Sequence, residues 1–323
     1  MSLSKEILST LSVTGTSSMA YLSQKLGANL RELEEAVCQI NQGRTFVTRI
    51  EDKMLALSEV SKRLCTKRIR AVLGLDADRF RFELTAKTAS TNDDLLTLIK
   101  TGRAQDRLIR IAETQTAGRG TKGRQWVSIP GGSLTFSILR SVAPAAMLRG
   151  ISALPLVVGL SIVRSINALA DVDCRLKWPN DVLSDKKKLA GVLIESTSIS
   201  GHHFVVIGIG INVCLPQTLM KDIDQPVIDL HSLGASIDRN DLVGNLVIEL
   251  DNMLERYFTD GFDFFRSEWC AVHAYHNRKV FFALPDGGQI EGDVVDVDLD
   301  GALILNVDGK VARYISGEIQ ITN

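Results

Sequence analysis

Over roughly the first sixty residues, the hydrophobic positions recur at helical spacing and then alternate as they do in strands. Ser18 and Asn29 stand directly before two of the helical patterns, where their side chains can accept hydrogen bonds from the free N–H groups of a first turn. Two alternating stretches follow within 45–57, around a turn at Glu51-Asp52. The pattern therefore predicts three helices and then a pair of strands.

This order of elements predicts a winged helix-turn-helix over residues 1–64, with the helix-turn-helix itself at 19–38 and a linker at 65–79. In DNA-binding proteins of this shape, the third helix enters a major groove. Here that helix carries three glutamates and a single arginine, which does not suit a surface that faces phosphates. A DNA-reading role and a docking or dimerisation role therefore both stay open.

The stretch 80–271 mixes strand and helix patterns, which predicts a central α/β domain. A helix that begins near Ser152 and ends near Ala170 is apolar almost all round, so we expect it to be buried against a sheet. Strand patterns are predicted at 107–113, 133–139, 174–177, 188–195 and 203–213.

Asp-Gly dipeptides at positions 286, 300 and 308 divide the last part of the chain into short strand patterns. About five strands in so small a space are best closed on themselves. We therefore predict an SH3-like β-barrel over 272–323, and an α+β fold for the chain as a whole.

The composition is that of an ordinary globular protein, and it excludes some partners. Of the 323 residues 45% are hydrophobic, and the formal net charge is −1, so no global field attracts nucleic acid or a membrane surface. The longest apolar run, 151–163, is shorter than the ~18 residues of a membrane span. These features predict a cytoplasmic protein without membrane contact.

The sequence AGRGTKGRQW at 117–126 combines three glycines with three cations and contains no acid. Glycines let backbone N–H groups approach an oxyanion, and arginine and lysine add positive charge, which favours a bound anion. The glycine spacing fits a dinucleotide fingerprint, but a strand pattern follows where that motif needs a helix, and the G-K-[ST] of a P-loop is absent. The stretch is therefore predicted to be a lid that closes on a ligand, the alternative being a solvated hairpin tip.

KWPNDVLSDKKKLAG at 177–191 is the second unusual stretch. Asn180-Asp181 is a turn signal, and the strand that follows is expected to place Lys188 on a face of small and apolar residues that continues at Ala190. A lysine in such a place either reaches out to water or holds an anion.

In VVIGIGIN at 205–212, a period of two places Gly208, Gly210 and Asn212 on one face. Bare glycines leave room for a flat purine whose edge Asn212 can read. The alternative is close packing of another backbone.

Six stretches taken together resemble the motifs of the biotin protein ligases: STN at 90–92, ETQTAGRGTKGRQW, KWPND, KKLAGVLIES, GIGIN and the terminal SGEI. The likeness is greatest for the bifunctional bacterial type, which has an N-terminal winged helix and is also the biotin operon repressor. The resemblance implies that biotin and ATP form biotinyl-5′-adenylate and pyrophosphate, and that biotin then passes to a lysine of the biotin carboxyl carrier protein of acetyl-CoA carboxylase. It also implies Mg²⁺, operator DNA as a partner, and a homodimer when the adenylate is bound.

Matching positions give the site residues their expected roles. Lys188 and Arg119 are expected to be catalytic, and Asp181 to orient Lys188 or hold Mg²⁺. Biotin is expected to contact Ser90, Thr91, Asn92, Gln115, Arg119, Gly120, Thr121 and Lys188. ATP and the adenylate are expected to contact Arg119, Lys122, Arg124, Trp126, Asn180, Lys188 and Asn212.

The lid departs from the family pattern at Thr121, where relatives often carry an arginine. One cation fewer is expected to weaken retention of the adenylate, although Lys122 can partly substitute for it. Two alternative functions stay open: a lipoate-type acyl ligase with the same core chemistry, and a biotin-sensing DNA-binding regulator without catalysis.

Overall fold

The computed structural model of the chain describes residues 2–42, 46–50, 54–58, 63–147, 150–221 and 223–320. These residues form a helical N-terminal unit, a central unit built on a seven-stranded sheet, and a C-terminal unit built on a five-stranded sheet. The predicted mixture of helices and strands, with a sheet unit at the C-terminal end, is confirmed.

The N-terminal unit packs three helices against a three-stranded antiparallel sheet. The predicted caps are confirmed, since Ser18 Oγ accepts a backbone N–H at 3.1 Å and Asn29 Oδ1 accepts one at 3.0 Å. The predicted start of the strand pair at Thr45 and its turn at Glu51-Asp52 lie outside the described residues. The elements are α1 (Leu3–Thr14), β1 (Thr16–Ser18), α2 (Met19–Leu26), α3 (Leu30–Ile40), β2 (Val47–Ile50) and β3 (Met54–Leu57), with the sheet order β1-β3-β2.

The central sheet contains the five predicted strands of this region and two more. β4 and β5 run parallel, whereas the other neighbouring strands within the described ranges are antiparallel. The strands, in the order β4-β5-β6-β10-β9-β8-β7, are β4 (Arg81–Thr85), β5 (Leu108–Ala112), β6 (Ser133–Val142), β7 (Arg175–Lys177), β8 (Asp181–Ser184), β9 (Lys187–Ile199) and β10 (His202–Asn212).

Helices cover both faces of this sheet. Successive side chains of β10 point to opposite faces, and apolar side chains of this strand are buried on both. Val205 and Ile207 join the core beneath α7 (Leu154–Asn167) and α9 (Arg239–Asp260), whereas Val206 packs beneath α5 (Thr91–Lys100). The stretch predicted as a linker contains α4 (Thr66–Leu73), whose Ile69 and Leu73 are buried beside α9. The helices are α4 (Thr66–Leu73), α5 (Thr91–Lys100), α6 (Pro144–Met147), α7 (Leu154–Asn167), α8 (Gln217–Met220), α9 (Arg239–Asp260) and α10 (Asp263–Val272). Among the described residues, none of the helices combines the length and the apolar character needed to cross a bilayer.

The C-terminal unit is an open antiparallel sheet rather than the predicted closed SH3-like barrel. Its two edge strands, β14 (Lys310–Tyr314) and β15 (Glu318–Gln320), are not hydrogen-bonded to each other over the described residues, so the barrel is not confirmed. The strands are β11 (Lys279–Ala283), β12 (Gln289–Val297), β13 (Leu303–Val307), β14 (Lys310–Tyr314) and β15 (Glu318–Gln320), in the order β14-β13-β12-β11-β15.

Trp178 joins the C-terminal unit to the central sheet. Its indole Nε1 donates to Gly301 O at 2.8 Å, and its ring centroid lies 5.8 Å from that of Phe282. Trp178 and Phe282 are both buried. The position of the small sheet is therefore set by a side chain of the KWPND motif.

A buried ion pair fixes the chain where it leaves the N-terminal unit. Arg239 Nη1 donates to Glu113 Oε2 at 2.8 Å, and Glu113 Oε1 accepts from Leu64 N at 2.8 Å. Both charged side chains are almost fully shielded from water. Phe46 of the N-terminal unit lies in the same buried hydrophobic cluster as Ile129 of the central unit.

We predict that Glu113→Ala lowers the free energy of unfolding by about 3–5 kcal/mol, because it leaves Arg239 buried without its carboxylate. Urea denaturation measures the loss. As a control, Glu35→Ala removes half of the exposed Arg31–Glu35 pair and should change stability by less than about 0.5 kcal/mol. Equal losses in the two variants would contradict the assignment.

Candidate active site

The candidate site is a cleft on the face of the central sheet that carries α5. Cross-strand partners share a face of a sheet, and Gly191 pairs with Gly210 while Leu193 pairs with Gly208. These residues form the floor of the cleft, which holds about 610 Å³ of empty space, part of it open to solvent. The predicted site residues that line it are Ser90, Thr91, Asn92, Gln115, Arg119, Gly120, Thr121, Arg124, Trp126, Asn180 and Lys188.

One wall is the first turn of α5, which Ser90 caps. Gln115 Oε1 accepts hydrogen bonds from Thr91 N at 2.8 Å and from Thr91 Oγ1 at 3.1 Å. Ser90, Thr91 and Asn92 are nearly fully buried. The residues predicted for the biotin pocket therefore lie together, at the positive end of a helix dipole.

Asn92 is fixed between two side chains that were not predicted as site residues. Ser137 Oγ donates to Asn92 Oδ1 at 2.6 Å, and Asn92 Nδ2 donates to Glu195 Oε2 at 2.8 Å. A methyl group on Gly208 would lie 2.4 Å from Asn92 Oδ1. Glycine is therefore required here so that the amide can lie flat against β10.

The glycine face that was predicted to be bare is covered. The Trp126 indole lies so close to Gly210 that a methyl group there would be 2.4 Å from the ring. Gly208 is covered in the same way by Asn92. The two glycines do clear space, but this space is filled by side chains of the site itself. Within the described ranges, the buried Trp126 Nε1 has no hydrogen-bond partner.

Lys188 reaches the cleft because of a bulge. We expected it to share a face with Ala190, but the pairing of β8 with β9 slips by one residue at Leu189. Ala190 therefore faces the core, whereas the Lys188 side chain lies over Gly191, its Nζ 6.0 Å from the Trp126 ring centroid.

The Lys188 ammonium is paired with Asp181. Nζ lies 2.8 Å from Asp181 Oδ1, and the two side chains are only 12% and 8% exposed. The angles fall outside hydrogen-bond geometry, so this buried oxygen accepts no hydrogen bond within the described part of the chain. Asp181 and Lys122 line a neighbouring cleft that faces the C-terminal unit.

Arg119, which was predicted to face a ligand anion, is held by two carboxylates. Its guanidinium donates to Glu195 Oε1 at 2.9 Å, to Glu195 Oε2 at 2.6 Å and to Asp93 Oδ1 at 2.6 Å. The hydrogen bonds to Glu195 are the main reason that the pKa of Arg119 is raised above its usual value.

The other two lid cations are held by the C-terminal unit. Arg124 Nη1 donates to Glu318 Oε1 at 2.8 Å, and Lys122 Nζ donates to Glu318 Oε2 at 3.3 Å and to Gly317 O at 3.2 Å. Burial opposes ionisation of Glu318, but the hydrogen bond and charge of Arg124 outweigh it and lower the pKa of this carboxyl group. The tip of the lid is therefore tied to the C-terminal unit, although the side chains of Lys122 and Arg124 stay 48% and 41% exposed.

The backbone of the lid, residues 117–126, closes on itself as a hairpin. Gly120 N donates to Arg124 O at 2.7 Å, and Trp126 N donates to Gly118 O at 2.9 Å. Lys122 at the tip has a φ of 57°, in the left-handed region. The lid thus has a defined shape before any ligand is considered.

The two asparagines that were predicted to contact ATP differ in position. Asn180 lines the cleft and donates to Val192 O at 2.8 Å. Asn212 is buried and donates to Lys188 O at 3.2 Å and to Ile228 O at 3.1 Å. Asn212 does not line the cleft, so its expected contact with adenine requires a rearrangement.

Four acidic or hydroxyl groups of the site were missed from the sequence: Asp93, Ser137, Glu195 and Glu318. A signal was available for Glu195, because a period of two from Gly191 through Leu193 puts it on the face of the floor. The acids that pair with the lid cations come from distant segments of the chain, so spacing in the sequence does not predict them.

Family models match two parts of the chain. The family described as "Biotin/lipoate A/B protein ligase family" matches residues 84–212, and "Biotin protein ligase C terminal domain" matches residues 275–321.

Individual relatives cover more of the chain. "Bifunctional ligase/repressor BirA" of Salmonella typhimurium is 34% identical over 257 residues, which are 76% of this chain and 78% of the relative. "Biotin--[acetyl-CoA-carboxylase] ligase" of Mycobacterium tuberculosis is 31% identical over 252 residues, 77% of this chain and 91% of the relative. Among solved structures, the biotin protein ligase from Aquifex aeolicus in complex with biotin and ATP superposes with a TM-score of 0.63 at 26% identity, covering 74% of this chain and 97% of that one.

We predict that Gly210→Ala displaces Trp126 from the floor of the cleft, because the added methyl group overlaps the ring. The tryptophan fluorescence should shift to longer wavelength as the indole enters water. Gly120→Ala is the matched control in the lid, since its methyl group would meet no atom closer than 3.4 Å. An unchanged spectrum in Gly210→Ala would contradict the placement of Trp126.

Proposed function

This chain belongs to the biotin/lipoate A/B protein ligase family, and we infer that its cleft joins biotin to ATP and then transfers biotin to a lysine of a carrier protein. The chain is a biotin protein ligase, as its relatives of 31–35% identity are. We base this proposal on the cleft itself: Lys188, the lid and the Ser90–Asn92 turn all line it around one glycine floor.

The first half-reaction forms an acyl-adenylate. A carboxylate oxygen of biotin attacks the α-phosphorus of ATP, the bond from that phosphorus to the bridging oxygen of the β-phosphate breaks, and pyrophosphate leaves. Negative charge gathers on the phosphate oxygens in the transition state, where cations that are already in place lower the barrier. Lys188 suits this role because its side chain is only 12% exposed, so water screens its charge little.

Asp181 is proposed to position Lys188. Its carboxylate holds the ammonium at 2.8 Å, which limits the directions in which the flexible lysine chain can point. Phosphate or carboxylate oxygens of the ligand would then accept hydrogen bonds from the ammonium.

The residues present also fit a Mg²⁺ ion that arrives with ATP. Magnesium is usually bound by one or two carboxylates together with substrate phosphates, and Asp181 offers a buried carboxylate whose Oδ1 faces the Lys188 ammonium. When bound, the ion would neutralise phosphate charge. Among the described residues there is no cluster of three or more His, Cys, Asp or Glu side chains that could hold a metal unaided.

The Ser90–Asn92 wall suits the ureido head of biotin, which carries both N–H donors and a carbonyl acceptor. Thr91, Asn92, Gln115 and Ser137 are uncharged and offer both donors and acceptors. We propose that they exchange some of their mutual hydrogen bonds for bonds to biotin.

In the second half-reaction, a lysine amine of the carrier attacks the acyl carbon, the bond from that carbon to the adenylate oxygen breaks, AMP leaves and the amine loses a proton. We propose the biotin carboxyl carrier protein of acetyl-CoA carboxylase as acceptor, which the names of the relatives support. A lipoate substrate is disfavoured because the C-terminal unit matches a model specific to biotin protein ligases. We further propose a cytoplasmic location, a homodimer in the adenylate-bound state, and weakened adenylate retention because of Thr121.

We predict that the protein exchanges labelled pyrophosphate into ATP only when biotin is present, because the first half-reaction is reversible. Lys188→Ala should lower this exchange at least a hundredfold, in line with the ~10²–10³-fold loss on removal of one transition-state donor. Lys187→Ala is the matched control, since this exposed neighbour pairs with Asp185 outside the cleft. Exchange driven by lipoate would refute the substrate, and near-normal exchange in Lys188→Ala would refute the role of that lysine.

A second function, repression of biotin synthesis genes, is favoured by the N-terminal unit. Its order of three helices and a small sheet is that expected of a winged helix-turn-helix, and relatives named as ligase and repressor match about three quarters of the chain. The outer face of α3 is less suited to binding DNA, because its glutamates occupy the nearby arginines. Glu34 pairs with Arg49, and Glu35 pairs with Arg31.

We predict that the protein retards DNA from upstream of the biotin synthesis genes in a gel-shift assay when biotin and ATP are both present. The shift should weaken steeply with added salt, because cationic side chains displace counterions from the phosphates. A scrambled DNA of the same length is the control. Equal retardation of both DNAs, or of neither, would leave the N-terminal unit without an operator-reading role.

A further inference from the structure

Each cation of the lid already has a protein carboxylate as its partner. Arg119 is bound to Asp93 and Glu195 of the central unit, and Lys122 and Arg124 are bound to Glu318 of the C-terminal unit. An anionic ligand that is to use a lid cation must therefore compete with one of these acids.

Arg119 is held far from Lys188. Glu195 and Lys188 both lie on β9, and the usual rise per residue separates their Cα atoms by roughly 20 Å. The Lys188 side chain leans over Gly191, which still leaves a gap on the order of 10 Å to the acids that hold Arg119. The two cations thus cannot meet one phosphate group in this arrangement.

The charges around Arg119 oppose an anion at this end of the cleft. Asp93 and Glu195 together carry two negative charges against the one positive charge of the guanidinium. The carboxylate of Glu195 also accepts a hydrogen bond from Asn92 Nδ2, so one side chain holds both the lid and the wall of the biotin pocket.

On the basis of the function proposed above, we propose that Glu195 is a positioning residue of the ligase: it holds Arg119 at the pocket wall and competes with the acyl-adenylate for that arginine. We call the carboxylates of Glu195 and Asp93 that hold Arg119 the clasp. Asp93 is its weaker member. When the adenylate forms, Arg119 leaves the carboxylates and binds the phosphate and acyl oxygens of the adenylate. The more strongly the carboxylates bind Arg119, the more easily it goes back to them and the faster the adenylate dissociates.

Glu195→Gln tests the proposal, because it removes the negative charge while keeping one oxygen that can still accept from Asn92. The full-length protein is loaded with labelled biotin, ATP and Mg²⁺, chased with excess unlabelled biotin, and followed for loss of bound label without any acceptor. An ion pair of this exposure is worth ~0.2–1 kcal/mol, so the adenylate should stay bound roughly 1.4 to 5 times longer. An unchanged or shorter lifetime overturns the proposal.

Asp93→Asn is the second variant, and it should lengthen the lifetime in the same direction but less. Its side chain is 49% exposed and bonds Arg119 through one oxygen, so the fold should tolerate the change. Glu83→Gln is the matched control: Glu83 is an exposed acid on β4 that pairs with Arg110 and leaves Arg119 untouched. The control should release the adenylate at the wild-type rate.

A double-mutant cycle separates the two contacts of Glu195. In an Arg119→Ala background, Glu195→Gln should have no further effect on the adenylate lifetime, because its competitor is already gone. An undiminished effect in that background would mean that Glu195 acts through Asn92, which overturns the clasp. If the wild-type protein shows no biotin-dependent pyrophosphate exchange, the proposed function fails first; if exchange is normal and the lifetimes do not change, only the clasp fails.

Discussion

The ion pairs of the lid are the constraint on which the site depends. Residues 117–126 carry three cations and no acid, so the charges that neutralise them must come from elsewhere in the fold. They come from the first turn of α5, from β9 and from β15. The position of the lid therefore depends on how the central and C-terminal units are placed relative to each other. A movement of either unit would move the carboxylates that hold the lid.

This dependence explains why a small C-terminal sheet is attached to a catalytic domain. Trp178 of the KWPND motif fixes the sheet through Gly301, and Glu318 on the same sheet holds the lid tip. A motif that ends at Asp181 thus sets the geometry of a loop some sixty residues earlier. The C-terminal unit acts on the cleft through this chain of contacts.

Much of the fold follows from local patterns. The helix caps at Ser18 and Asn29, the apolar helix α7 and the strands β9 and β10 are all readable from spacing and turn chemistry. What spacing does not report is the bulge at Leu189, which turns Lys188 towards the cleft, and the open edge of the C-terminal sheet. The clasp on Arg119 was equally hidden, because its acids become neighbours only after folding.

The proposed function depends most on one step, in which the lid exchanges a protein carboxylate for the ligand. A crystal structure of this protein with a non-hydrolysable biotinyl-adenylate analogue tests it most directly. We expect that Arg119 has left Glu195 and lies with Lys188 on the oxygens that join biotin to the phosphate. An Arg119 guanidinium that still holds both oxygens of Glu195 while the analogue fills the cleft would contradict it.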